Sequence, residues 1–157
     1  MINWDSINAR HFEKFIFHVL AKKGFKNREW FGRGGGDRGR DVVAKYYVEL
    51  PFNLGFEQTW IFQCKREKRM PQQSAVFNEI VKAKQHNPDG WVLVTPHNPT
   101  SDFYDYLHSL EPNVGFKLVV FTLAELEEIV RDHKELKYVL LHGHLPEEGE
   151  EGEEENV

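Results

Sequence analysis

The sequence has little cysteine, no long apolar run and no overall excess of positive charge. A single cysteine among 157 residues excludes a disulfide framework and a cysteine-rich zinc site. No apolar stretch approaches the roughly 18 residues that a membrane-spanning helix needs. The segment Met1-Ile2-Asn3-Trp4-Asp5 lacks the basic region and apolar run of a signal peptide. We therefore expect a cytoplasmic protein in a reducing setting, without a membrane segment.

Length and composition favour one domain with a tail. Hydrophobic residues make up 40% and aromatic residues 13% of the chain, which is enough for one substantial core, whereas 157 residues are too few for two. Residues 146–157 are mostly Glu and Gly, the composition of a segment that cannot bury a core. We expect a folded domain over residues 1–145 and a disordered acidic tail over residues 146–157.

The net charge of −5 conceals a basic body. Seven of the 25 acidic residues lie between Glu147 and Glu155, which leaves 18 acidic residues against 20 Lys and Arg elsewhere. One basic cluster precedes the middle of the chain and comprises Lys22, Lys23, Lys26, Arg28, Arg33, Arg38, Arg40 and Lys45. A second comprises Lys65, Arg66, Lys68 and Arg69. Such clusters suit a phosphate backbone, because its binding is largely electrostatic. The alternative is an ordinary solvated surface.

Hydrophobic periodicity predicts alternating helices and strands. Apolar residues from Phe12 to Leu20 follow helical spacing, and Gly24 ends that first helix. Further helices are predicted over 73–85, 101–110 and 123–133, and strands over 27–31, 41–50, 57–65, 91–95 and 116–121. This order predicts a three-layer α/β domain with helices flanking a central mixed β-sheet. We expect antiparallel pairing in the early hairpin and parallel pairing after the crossover helix.

Polar side chains mark the ends of two predicted strands. Asp41 begins one strand, and Gln63 and Lys65 lie two residues apart at the end of the next, so both project to one face while Cys64 projects to the other. If the two strands pair, a carboxylate, an amide oxygen and an ammonium converge, as metal-assisted phosphodiester hydrolysis requires. Glu13 falls at the edge of the apolar stripe of the first helix, where it could lean toward that point or be an ordinary surface acid.

Two further motifs have open interpretations. Gly32-Arg33-Gly34-Gly35-Gly36-Asp37-Arg38-Gly39-Arg40 is costly to order, which favours a functional loop over an RNA-binding tract. Within it, Asp37 could be an accessory metal ligand or a loop cap. His142-Gly143-His144 has a spacing that could bind a metal, although an exposed pair beside the tail is the simpler interpretation.

Taken in order, these motifs resemble the Mrr-type restriction endonuclease catalytic domain, a branch of the PD-(D/E)xK nuclease superfamily in which Gln replaces an acidic residue. The resemblance rests on Phe12-Glu13, Lys23-Gly24-Phe25, Gly36-Asp37-Arg38-Gly39-Arg40-Asp41, Gln63-Cys64-Lys65-Arg66 and Val94-Thr95. It implies a restriction-endonuclease-like fold and a metal-dependent DNA endonuclease that serves restriction or antiphage defence. The loop segment also resembles nuclease domains fused to antiphage NTPase effectors.

The resemblance implies a role for each candidate residue. Asp41 would be the central metal ligand, with Gln63, the backbone carbonyl of Cys64 and Glu13 as further oxygen donors. Lys65 would orient the attacking water and stabilise charge in the transition state. Hard oxygen donors favour Mg²⁺ or Mn²⁺.

The expected partner is DNA, with a homodimer or a partner-protein-driven assembly. The DNA-binding candidates are the cations around the site, Arg33, Arg38, Arg40, Arg66, Lys68 and Arg69. Two alternatives remain on the same fold, namely a nucleic-acid-binding module that does not cleave and a resolvase acting on branched DNA.

Overall fold

A single mixed sheet organises the chain. The structure is a computed structural model and describes residues 2–32 and 40–147. Its strands are β1 (Lys26–Trp30), β2 (Val42–Val48), β3 (Phe56–Cys64), β4 (Gly90–Val94) and β5 (Lys117–Phe121), in the spatial order 1-2-3-4-5. The pairs β1–β2 and β2–β3 are antiparallel, and β3–β4 and β4–β5 are parallel. The predicted mixed sheet is confirmed.

Helices cover both faces of this sheet. They are α1 (Ala9–Lys22), α2 (Gln73–Lys84), α3 (Ser101–Val114), α4 (Leu123–Asp132) and α5 (Lys134–His142), with short 3-10 turns at Trp4–Ser6 and Pro51–Asn53. Residues of α1, α4 and α5 form one core against the sheet, and residues of α2 and α3 form another on the opposite face. The predicted three-layer α/β architecture is therefore confirmed. None of the helices in the described ranges is long and apolar enough to cross a membrane.

The first helix shows how local sequence produces this packing. The side chain of Asn8 accepts hydrogen bonds from the backbone N–H groups of Arg10 and His11, at 2.8 and 3.2 Å, and so caps the start of α1. The apolar positions on one face of α1 are buried against the sheet: Phe12, Phe15, Ile16, Val19 and Leu20. Burial of each such side chain stabilises the fold by about 1.5–3 kcal/mol. Gly24, at φ +89°, then ends the helical segment.

Two helix boundaries differ from the prediction. The last predicted helix, ending at His133, is followed by a second helix, because His133 leaves helical geometry at φ −134° and the chain re-enters it in α5. Leu136 and Leu140 bury α5 against α1, which local pattern alone did not reveal. In addition, α3 extends beyond the predicted end at Leu110 to Val114 and includes Pro112.

Candidate active site

The start of β2 and the end of β3 meet at one edge of the sheet. The backbone N–H of Asp41 donates to the carbonyl of Phe62 at 3.1 Å, and Val42 pairs with Phe62 in the antiparallel register. Asp41 Oδ2 accepts a hydrogen bond of 2.7 Å from the backbone N–H of Cys64. Asp41 is 5% and Gln63 is 2% exposed. The predicted convergence of these two strand ends is thus present, and it places buried oxygen donors side by side.

Strand alternation assigns the candidate residues to faces. Ile61 belongs to the core beneath α2 and α3, so Gln63 and Lys65, at two-residue intervals, lie on that same face. Cys64 packs with the core beneath α1 on the other face. The backbone N–H of Lys65 donates to the carbonyl of Val94 at 2.8 Å, which ties the end of β3 to β4. Lys65 therefore projects from a fixed backbone position.

Helix α2 supplies a carboxylate that the sequence analysis missed. Glu79 Oε1 lies 3.6 Å from Lys65 Nζ, and the two side chains are only 16% and 25% exposed. Lys82 Nζ lies 3.8 Å from the same oxygen on the more exposed side. Between Val76 and Ile80, Glu79 occupies the apolar stripe of α2, and an acid within such a stripe is the signal that could have identified it. The pairing holds the Lys65 ammonium at the strand end.

Thr95 directly follows β4, at the end of the predicted strand 91–95, and the structure shows the surroundings of its hydroxyl. It is 0% exposed, and its hydroxyl has no hydrogen-bond partner within the described part of the chain. Alternation from Leu93, which lies in the core beneath α2, puts Thr95 on the same face as Gln63 and Lys65. A buried polar atom of this kind calls for a partner, and a bound ligand or water can supply one.

Glu13 approaches the site from the opposite face. It is half-buried on α1, and its Oε1 accepts a hydrogen bond of 3.0 Å from Trp30 Nε1. Burial raises the pKa of the Cys64 thiol well above its usual value, and the nearby carboxylates of Asp41 and Glu13 raise it further. Lys65 acts on the same thiol in the opposite direction. Both acids and the ammonium therefore lie close enough to Cys64 for their charges to act on one atom.

The atoms at this site that could bind a metal ion belong to different chemical groups. Across residues 2–32 and 40–147, no three His, Cys, Asp or Glu side chains come close enough together to hold a metal ion. The Asp41 carboxylate, the Gln63 amide and the backbone carbonyl of Cys64 are oxygen donors on paired or adjacent backbone. Both side chains, those of Asp41 and Gln63, are buried. Such a set fits a hard divalent cation that keeps part of its water shell, such as Mg²⁺.

The predicted DNA-binding cations have different surroundings. The Arg40 guanidinium lies 4.0 Å from the ring centroid of Phe31, and Arg66 donates to the carbonyl of Asp5 at 3.3 Å. Lys68 and Arg69 are exposed, whereas Arg33, Arg38 and the loop residue Asp37 lie outside the described residues.

Cys64 is expected to be unreactive in the folded protein. The thiolate is the nucleophile, and a raised thiol pKa lowers the thiolate fraction at any given pH. We expect alkylation by iodoacetamide at pH 8 to be at least about tenfold slower in the native protein than in urea. Mass spectrometry of quenched samples measures both rates. Equal rates in the two states would contradict a raised thiol pKa in the folded protein.

Comparison with known proteins identifies the family. The family model Mrr_cat, described as restriction endonuclease, matches residues 4–130, from the 3-10 turn before α1 into α4. Neither curated proteins nor solved structures gave a match. The matched region contains Glu13, Asp41, Gln63 and Lys65, together with Glu79 and Thr95. Since the match covers most of the sequence, the chain belongs to the Mrr-type restriction endonuclease family and its function is that of a nuclease.

Proposed function

We propose that this nuclease is a Mg²⁺- or Mn²⁺-dependent DNA endonuclease that acts as an effector of restriction or antiphage defence. The observation that carries the proposal is the 2.7 Å hydrogen bond from the Cys64 N–H to Asp41 Oδ2, which joins the start of β2 to the end of β3 beside Gln63 and Lys65 in the chain. Asp41, Gln63 and the Cys64 carbonyl would hold the cation, with Glu13 completing the set from the α1 side. A bound divalent cation would supply Lewis-acid stabilisation of the phosphoryl oxygens and lower the pKa of a coordinated water.

The chain's own residues account for the rest of the chemistry. Attack of water on phosphorus builds negative charge on the phosphoryl oxygens, and Lys65 offers a cation whose backbone is tied to β4 by the 2.8 Å bond to Val94. Glu79 holds the ammonium from α2 at 3.6 Å and so limits its rotamers. The exposed Lys68 and Arg69 follow directly in the chain, where they can contact neighbouring phosphates.

A duplex has two strands, whereas each chain would carry one such centre. Cleavage of both strands therefore favours a homodimer or an assembly driven by a partner protein. The proposed DNA interface comprises Arg40, Arg66, Lys68 and Arg69, together with Arg33 and Arg38, which lie outside the described residues.

One assay tests the proposal directly. The purified chain is incubated with supercoiled plasmid, linear duplex, single-stranded and branched DNA, with Mg²⁺, Mn²⁺ or a chelator. We expect metal-dependent nicking or linearisation of the plasmid. The kinetic order with which the linear product forms, as the enzyme concentration is varied, reports whether chains assemble for double-strand cleavage. Cleavage confined to branched DNA would identify a resolvase. Binding without cleavage under every metal condition would identify a module that does not cleave.

Glu79→Gln is expected to slow cleavage about tenfold without weakening DNA binding, because Lys65 loses the charged partner that orients it. Single-turnover cleavage at saturating DNA measures the rate, and fluorescence anisotropy in chelator measures affinity. Lys82→Gln is the matched control, since Lys82 contacts the same carboxylate oxygen from the exposed side. A Glu79→Gln protein that cleaves at the wild-type rate would show that Lys65 needs no such partner.

A further inference from the structure

A second group of polar and basic side chains lies beside Glu13, in a recess between the start of α1 and the end of α5. The recess has a volume of about 360 Å³, within the range of ligand sites, and is lined by Asn8, Arg10, His11, Lys14, Trp30, His142, Gly143 and His144. No carboxylate side chain is among these described lining residues. The lining thus offers hydrogen-bond donors and positive charge to an anion.

The turn His142-Gly143-His144, at the end of α5, packs against residues of α1 and α5. Gly143 adopts φ +84°, and a side chain there would meet the ring of His11. The ring of His142 lies 4.2 Å from that of Tyr138, and the ring of His144 lies 5.7 Å from it. Both histidines are exposed, as the simpler sequence interpretation expected, and these ring contacts place their imidazoles at the recess.

His11 presents one ring nitrogen toward this turn. Its Nδ1 donates to the backbone carbonyl of Leu140 at 3.2 Å, which ties α1 to α5. Its Nε2 lies on the Gly143 side, where a Cβ would come within 2.8 Å. An anion fits this lining better than a metal ion does, because Arg10 and Lys14 bring positive charge to it.

Trp30 connects the recess with the candidate active site. Its Nε1 donates to Glu13, and the Lys14 ammonium lies 4.8 Å from its ring centroid. Gly32, where the Gly-rich segment begins, packs so closely on the same indole that no side chain fits there. Trp30 thus lines the recess and also bonds Glu13, a proposed ligand at the candidate metal site.

We infer that this recess binds a backbone phosphate of the DNA, away from the phosphate that is cleaved. The inference rests on the proposed function and extends it, because a second phosphate contact fixes the direction in which the strand crosses Glu13 and Asp41. Arg10 and Lys14 supply charge and N–H donors, and His142 supplies a further ring N–H. Phosphate contacts of this kind position the duplex without reading its sequence.

The test measures binding of the full chain to a short fluorescent duplex in chelator, over a range of salt concentrations. Arg10→Gln, and separately His142→Gln with His144→Gln, should weaken binding about three- to tenfold at low salt. Arg10→Gln should also reduce the slope of log affinity against log salt by about 0.9. Arg131→Gln is the matched control, an exposed helical arginine on α4 outside the recess, and should change neither quantity.

Wild-type cleavage on the same duplex separates the two proposals. If the wild type cleaves, but the recess variants keep wild-type affinity and salt slope, the phosphate site is overturned and the nuclease proposal stands. If the variants lose affinity as expected while the wild type never cleaves, the recess is supported and the nuclease proposal is overturned. Inorganic phosphate is the second probe. If it shifts the NMR signals of the His142 and His144 rings at concentrations as low as the duplex does, the ligand is the free anion, which overturns the assignment to DNA.

Discussion

Asp41→Asn is expected to reduce DNA cleavage about a thousandfold while the protein remains folded. Asparagine keeps an oxygen that can accept the 2.7 Å hydrogen bond from the Cys64 N–H, but it removes the charge that would hold a divalent cation. Alanine is a poorer test, because it would leave that N–H without its acceptor at a cost of about 1–3 kcal/mol. Single-turnover plasmid cleavage measures the loss, and thermal unfolding followed by circular dichroism measures stability.

Asp105→Asn serves as the matched control for this substitution. Asp105 is an exposed acid on α3, so the same chemical change should leave both cleavage and stability unaltered. Retention of cleavage by Asp41→Asn within severalfold of the wild type would remove Asp41 from the metal site. A loss of cleavage accompanied by a large fall in Tm would instead show that the charge of Asp41 is needed for folding.

Lys65→Ala is expected to reduce the cleavage rate at saturating DNA by about 10²–10³-fold, because the transition state loses a fixed cation. DNA affinity should change by much less. Lys68→Ala provides the contrast, since this exposed lysine is three residues further along and should affect affinity more than the saturated rate. Single-turnover rates at saturating DNA and anisotropy in chelator separate the two effects. Near wild-type nicking by Lys65→Ala would contradict the assignment of Lys65 as the cation that stabilises the transition state.

Removal of Lys65 also deprives Glu79 of a partner 3.6 Å away, and that carboxylate is only 16% exposed. The single variant can therefore lose stability for electrostatic reasons alone. The double variant Lys65→Ala with Glu79→Gln removes the half-buried carboxylate as well and leaves only the more exposed ammonium of Lys82. We expect it to regain any Tm lost by the single variant while remaining inactive. Recovery of cleavage together with Tm would show that Lys65 acts on folding and not on the reaction.

Local periodicity in the sequence was sufficient to predict the architecture and to nominate the site. The two-residue alternation of a strand places Gln63 and Lys65 on one face and Cys64 on the other, whatever the rest of the chain does. The near-continuous apolar run from Trp91 to Thr95 predicted a buried strand, and β4 is the buried strand between β3 and β5. These features depend on neighbours in the chain, whose relative geometry the backbone itself sets.

Tertiary structure decided which distant side chains meet. The contact between Lys65 and Glu79 depends on how α2 docks on the sheet, and the His11–Leu140 bond joins residues 129 positions apart. The Glu13–Trp30 hydrogen bond likewise depends on the packing of α1 against the end of β1. Helix docking is set by the summed burial of whole apolar faces, so no local pattern encodes these pairings. The sequence by itself therefore determined which strand-borne residues are candidates for the site, and only the fold determined the partners that their side chains contact.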